Sequence, residues 1–136
     1  MIICTGNSCR SPMAEGYLKS FDPAIEVFSA GIYPESSVSQ RAVQVLKEDG
    51  VDISAHHPKH VNNFTDQPFD WLITVCDFAR EHSPAFTGHV IHELHHNFED
   101  PWIAMGSDEE KMDKYRQVRD QIKAWFRKFY NENLKG

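Results

Sequence analysis

Met1-Ile2-Ile3-Cys4-Thr5-Gly6-Asn7-Ser8-Cys9-Arg10-Ser11 runs from a short apolar stretch through small polar residues into a segment with helical patterning to about Phe21. The apolar run reads as a strand, the turn-rich residues as a loop, and Ser11 to Phe21 as a helix. This strand, loop and helix unit sets the reading of the rest of the chain. Ile25 to Ser29 predicts a second strand, and Val38 to Asp49 a helix with Val38, Ala42, Val45 and Leu46 at helical spacing, ended by Gly50. Trp71-Leu72-Ile73-Thr74-Val75-Cys76, bounded by Asp70 and Asp77, predicts a strand buried on both faces at the sheet centre. Val90 to Leu94 predicts a fourth, weaker strand. Ser107 to about Tyr130 predicts a long amphipathic helix, with Ser107 and Glu110 at capping-box spacing. Strands separated by helices imply an α/β fold, a parallel sheet with helices on both faces.

The chain has 136 residues, which predicts one domain over 1–136. Hydrophobic residues make up 40% and charged residues 25%, ordinary globular usage that excludes disordered, collagenous and coiled-coil classes. Gly and Pro, seven each, are scattered as punctuation and collect in no linker, and no repeat is visible. A formal net charge of -6 argues against a general nucleic-acid or anionic-membrane surface, so no nucleic acid or membrane is expected as a partner. No apolar run approaches the roughly 20 residues that span a bilayer, and no basic segment precedes an apolar one at the start. A cytoplasmic location is therefore expected. Three cysteines without a secretion signal fit reduced thiols with a chemical task better than a disulfide framework.

The loop around those cysteines has definite chemistry. Backbone N–H groups at a helix N-terminus converge on a tetrahedral oxyanion, and Gly6 admits close backbone approach. Thr5, Gly6, Asn7, Ser8, Cys9 and Ser11 are thus the expected anion-binding residues, with Arg10 adding a planar fork for two oxygens. The same positive field favours a thiolate, so Cys4 is expected below the free-thiol pKa of about 8.5, with a hydrogen bond from Ser11.

Cys4 through Arg10 resembles the Cys-x5-Arg loop of the low-molecular-weight phosphatase superfamily, and with Met13-Ala14-Glu15-Gly16 it is similar to the arsenate reductase branch coupled to thioredoxin. Ser29-Ala30-Gly31, Gly50 to Ser54, Ile73 to Cys76, Phe98-Glu99-Asp100-Pro101 and Arg116 to Asp120 extend the resemblance over nearly the whole chain. The resemblance implies a four-stranded parallel sheet of flavodoxin-like winding, with the active loop at the carboxyl end of the first strand, where open α/β sheets bind ligands. It implies Cys4 as nucleophile, Arg10 as oxyanion holder, Asn7 and Ser11 as shapers of the loop, Asp100 as general acid and Cys76 as second thiol. Arsenate or phosphate is the implied oxyanion, thioredoxin or another thiol the reductant, and no cofactor is implied; a monomer is expected. An Asp before Pro favours an extended or turn conformation, suited to presenting its carboxyl from a loop. The Trp-His signature of the tyrosine-specific phosphatases is missing between Gly31 and Arg41, which favours the reductase branch.

The chain departs from that pattern in three places. Ser83 stands where the third cysteine of the reductases is expected. A serine forms no disulfide, so Cys4 and Cys76 form the terminal bridge, or Cys9 or an external thiol substitutes, or Ser83 is an altered residue that traps an intermediate. Only Met1-Ile2-Ile3 precede Cys4, short of the usual strand of about five or six residues, so a shortened start is expected. Lys59 occupies the position where some relatives place a cation-binding carboxylate, where its ammonium either replaces that cation's charge or is an exposed loop charge.

Seven of the eight histidines form two sequence clusters, His56, His57 and His60, and His89, His92, His95 and His96. On a strand, His92 and His96 would face one way and His89 and His95 the other, so no compact ligand set is specified and no metal site is expected. Trp125, Phe126 and Phe129 are expected to pack on the sheet. Trp102, beside Asp100, is the aromatic expected to border the substrate. Three readings stand at this point: an arsenate reductase, a phosphatase that needs no second cysteine, and a binding module without turnover, the last opposed by Cys4, Arg10 and Asp100 together.

Overall fold

The computed structural model describes residues 1–136. Four strands, β1 (Ile2–Cys4), β2 (Ser29–Gly31), β3 (Phe69–Thr74) and β4 (Val90–His95), form one parallel sheet in the order β2-β1-β3-β4. The helices are α1 (Arg10–Phe21), α2 (Gln40–Lys47), α3 (Asp77–His82) and α4 (Asp108–Phe129), the last continuing into a wider turn over Tyr130–Leu134. Helices α1 and α2 both pack on α4, while α3 sits against β1 and β3.

Because β1 lies between two neighbours, Ile2 and Ile3 are almost wholly buried. Its register, Cys4 opposite Gly31 and Ile3 opposite Thr74, brings the carboxyl ends of β1, β2 and β3 to one edge of the sheet. Buried residues of α4, Tyr115, Val118, Ile122, Phe126 and Phe129, recur every three or four positions and supply one side of the core. Its start is fixed as expected: the Glu110 N–H donates to Ser107 Oγ at 3.1 Å and the Ser107 N–H to Glu110 Oε1 at 3.2 Å. Trp125, Phe126 and Phe129 join one aromatic cluster with Phe98, and Phe129 meets Trp71 of β3 edge-on at 5.0 Å.

The second strand lies at Ser29–Gly31 and not at Ile25 to Ser29. Asp22 caps a turn, its carboxylate accepting the Ala24 N–H at 3.0 Å and its carbonyl the Ile25 N–H at 3.3 Å. Ile25 to Val27 also lie ahead of the first β1 pairing, Ile2 with Ser29, and have no strand to pair with. The central strand runs from Phe69 to Thr74, two residues earlier than expected at both ends. Its burial on both faces begins only at Leu72, since Asp70 is exposed and Trp71 half-buried. Val75 still bonds the Ile3 carbonyl, at 3.0 Å, before the chain turns into α3. The outer strand β4 exposes Ile91 and Leu94, as an edge strand does.

Candidate active site

Cys4 ends β1 with its Sγ buried under the loop that leads to α1. Ser11 Oγ lies 2.8 Å from this sulfur and the Asn7 N–H donates to it at 3.2 Å. Asn7 is the loop's keystone and sits in left-handed conformation, φ 51°, one of the few side chains that tolerates it. Its amide group donates to Ser11 Oγ at 2.8 Å and to Ser29 Oγ at 2.9 Å, and accepts the Lys59 N–H at 2.9 Å. Ser29 donates onward to Glu15 at 2.7 Å, and His56 Nε2 donates to the Asn7 carbonyl at 3.0 Å. Every polar atom of this fully buried asparagine therefore has a partner, which locks the unusual backbone.

Gly31 is the glycine on which this arrangement depends. A Cβ there would stand 2.7 Å from the Thr5 carbonyl and 2.9 Å from the Asn7 nitrogen, both rigid backbone. Gly6 is a milder case, since its Cβ would meet only the Glu35 side chain, at 2.8 Å. Glu15, Ser29, Gly31, His56 and the Lys59 backbone were absent from the expected site residues. The alternation of Ser29 and Gly31 on β2 was the available signal, because residues two apart share a face.

Arg10 opens α1 and is nearly buried; its Nη1 donates to the Phe98 carbonyl at 3.1 Å and its Nη2 lies 3.6 Å from Asp100 Oδ2. Asp100 also accepts the Trp102 N–H at 3.0 Å, which fixes the turn over Pro101–Ile103. The carboxyl thus faces the guanidinium that the sequence assigned to the oxyanion. Trp102 is exposed and lines a cleft with Ser8 of the loop.

Cys76 precedes α3 and is buried, its Sγ 3.4 Å from Thr5 Oγ1. The start of α3 is clamped to β4: His95 contacts Asp77 Oδ1 at 2.7 Å and Thr74 Oγ1 at 2.7 Å, and the Asp77 N–H donates to Asn97. Ser83 ends α3 with a buried hydroxyl that has no hydrogen-bond partner. At a rise of about 1.5 Å per residue, it lies about 10 Å from Cys76 along the helix.

The expected lowering of the Cys4 pKa is not what the site produces. Burial pushes the thiol up, while the Ser11 hydrogen bond and the Arg10 charge oppose it without prevailing. Cys9, also buried, is pushed well up by desolvation and by Asp100, which makes it a poor attacking thiol. The Lys59 ammonium bonds the His57 carbonyl at 2.8 Å, and its backbone N–H reaches the loop at the Asn7 side chain. His60 Nδ1 accepts the Asn62 N–H and His92 stacks on Trp71. No three His, Cys, Asp or Glu side chains converge on one point.

In a variant lacking Cys9 and Cys76, iodoacetamide should label Cys4 with a rate that rises through an apparent pKa above the free-thiol value of about 8.5. A thiol titrating below pH 7 would show that the loop's field overrides burial.

Residues 1–136 match the low molecular weight phosphotyrosine protein phosphatase family. An arsenate reductase of Halalkalibacterium halodurans is 40% identical over 121 residues, covering 88% of this chain and 86% of the relative. An arsenate reductase of Bacillus subtilis is 39% identical over the same shares. Among solved structures, an arsenate reductase in the phosphate binding state superimposes with a TM-score of 0.80 at 29% identity, covering 97% of this chain and 95% of that one. A low molecular weight protein tyrosine phosphatase from T. tengcongensis superimposes with a TM-score of 0.74 at 25% identity, over 96% of both chains. With the whole chain matched and the parallel sheet in common, this protein belongs to the low molecular weight phosphotyrosine protein phosphatase family, a family of enzymes.

Proposed function

We propose that the chain is an arsenate reductase that works through Cys4, Arg10, Asp100 and Cys76. Cys4 Sγ attacks arsenic while Arg10 and the loop amides hold the remaining oxygens. The raised thiol pKa means that the proton of Cys4 must be taken up, and a bound arsenate dianion is the base at hand. Asp100 protonates the departing oxygen, which leaves as water. Cys76 Sγ then attacks Cys4 Sγ: a sulfur–sulfur bond forms, the sulfur–arsenic bond breaks, and its electron pair stays on arsenic, which leaves as arsenite. The proton of Cys76 passes to an arsenite oxygen. Thioredoxin or another thiol restores the disulfide to two thiols, and the cytoplasm, where thiols are kept reduced, is the proposed location.

The observation that carries this reading is the second buried thiol beside the first. Cys76 touches Thr5, the residue that follows Cys4, and a phosphatase has no use for a sulfur there. The phosphatase reading is kept alive by Ser83, which cannot relay a disulfide, and by the likeness to a solved tyrosine phosphatase. Arsenite release with a thiol or thioredoxin couple, measured beside hydrolysis of an aryl phosphate, decides between them. A chain that hydrolyses the ester efficiently and releases no arsenite is a phosphatase.

Asp100→Asn should slow expulsion of the leaving oxygen by about 10²–10⁴-fold, as for a positioned general acid. The loss should shrink for aryl phosphates whose leaving groups need little protonation. An equal loss for all leaving groups would reduce Asp100 to a partner of Arg10.

A further inference from the structure

The chain that leads into α2 runs along the oxyanion loop and is fastened to it at three points. The Tyr33 N–H donates to the Thr5 carbonyl at 2.8 Å, the Glu35 N–H to the Gly6 carbonyl at 2.9 Å and the Ser39 N–H to the Ser8 carbonyl at 2.8 Å. The Glu35 side chain is thereby held against the loop between Cys4 and Arg10. A Cβ built on Gly6 would lie 2.8 Å from Glu35 Cγ, 3.5 Å from its Oε1 and 3.6 Å from Ser8 Oγ, so the glutamate fills the space that Gly6 leaves open. No lysine, arginine or histidine pairs with this carboxylate. Arg41, the one cation of the cleft that Glu35 and Ser8 line, is paired with Asp108 at 3.3 Å.

An unpaired carboxylate in this place opposes every oxyanion that enters the loop. Neither burial nor the fastening calls for its charge: the side chain is exposed, and the tie to Gly6 is a backbone N–H that any residue but proline supplies. The neighbouring carboxylates have counter-charges, Asp100 in Arg10 at 3.6 Å and Asp108 in Arg41. Glu35 has none, and its effect falls on the ligand. A bare oxyanion such as arsenate or phosphate meets that charge once. A ligand with a second anionic group beside its oxyanion meets it twice, while a cationic group recovers part of the loss. Unfavourable contacts of this kind separate ligands as effectively as favourable ones.

We propose that Glu35 is a specificity-determining residue of this loop, which disfavours oxyanions bearing a further negative group and favours those whose organic part carries an ammonium or guanidinium. Among esters, the class that fits is a phosphate monoester with a cation close to phosphorus. Towards arsenate, the same charge keeps anionic phosphorylated compounds out of the loop while admitting the bare oxyanion. This selection needs only the oxyanion loop and operates in a reductase and a phosphatase alike.

Three small phosphonates without a hydrolysable ester bond read the selection directly: 2-aminoethylphosphonate, ethylphosphonate and phosphonoacetate, whose organic parts are cationic, neutral and anionic. In calorimetric titration of the reduced chain they should bind in that order of decreasing affinity, each step about three- to tenfold in Kd, the scale of one charge interaction near a protein surface. Glu35→Gln keeps the shape and the backbone bond to Gly6. It should tighten phosphonoacetate most and 2-aminoethylphosphonate least, drawing the three to within about twofold, and should tighten phosphate as well. Glu35→Lys should invert the order. In 1 M KCl, where charges are screened beyond about 3 Å, the parent's order should flatten. The same order in the parent and in Glu35→Gln overturns the proposal, as does an order abolished by Asp108→Asn instead. Binding of phosphate but of none of the phosphonates also overturns it, since no organic group would then reach Glu35. Failure of phosphate itself to bind is a separate result, which overturns the oxyanion loop and the proposed reductase together with it.

Discussion

Cys4→Ser should abolish arsenate reduction and phosphate-ester hydrolysis, by at least about 10⁴-fold, the scale on which enzymes lose rate when a covalent nucleophile is removed. Oxyanion binding should survive. The groups proposed to hold the anion are Arg10 and the amides of the loop and of the first turn of α1, all of which the substitution leaves in the chain. The Ser11 hydroxyl and the Asn7 N–H, now 2.8 and 3.2 Å from the sulfur, would bond the new oxygen instead, so the loop should keep its shape. What disappears is chemical: an alkoxide is far less accessible than a thiolate, and an oxygen cannot accept attack by Cys76 to form a disulfide. Calorimetric titration with phosphate beside single-turnover kinetics tests both halves. Appreciable residual turnover would remove Cys4 from its role, and loss of phosphate binding would show that the sulfur itself shapes the site.

What the sequence disclosed about this site, and what it withheld, divides along local and tertiary lines. The strand, loop and helix from Ile2 to Phe21 were legible because periodicity, small loop residues and the cysteine-to-arginine spacing all lie within one short segment. The start of α4 was legible for the same reason, its two capping partners being three residues apart. The position of β2 was not, since Ile25 to Phe28 alternates like a strand and only the β1 register decides which residues pair. Nor was the buffering of Asn7 by Ser29, His56 and Lys59, which reach it from positions 22 to 52 residues away. The pKa of Cys4 failed for a related reason. The sequence displays the charges that stabilise a thiolate, whereas the desolvation that opposes them depends on what the fold stacks over the sulfur.

Cys76→Ala should separate the two chemistries open to this loop. Reduced enzyme mixed with one equivalent of arsenate, with no external thiol present, should release arsenite once per molecule in the parent chain and not at all in the variant. Without the second sulfur nothing on the chain attacks Cys4 in the adduct, since Cys9 is buried with its pKa driven up. Aryl-phosphate hydrolysis should be spared, because water completes that reaction. Undiminished arsenite release would leave Cys76 a small buried thiol at the head of α3 and would favour another attacking sulfur. Ser83→Cys then asks what the lack of a thiol at position 83 costs. Some 10 Å of helix separates Cys76 from position 83, beyond the roughly 7 Å that a disulfide spans between Cα atoms, so the bridge can pass outward only if α3 unwinds. The clamp of Asp77 on His95 and Asn97 opposes that unwinding. Ser83→Cys should therefore speed regeneration by thioredoxin only modestly on its own, and more when His95→Ala loosens the start of α3. If Ser83→Cys alone gave the full acceleration, α3 would be shown to open freely, and the absence of a cysteine at position 83 would be the whole of the barrier.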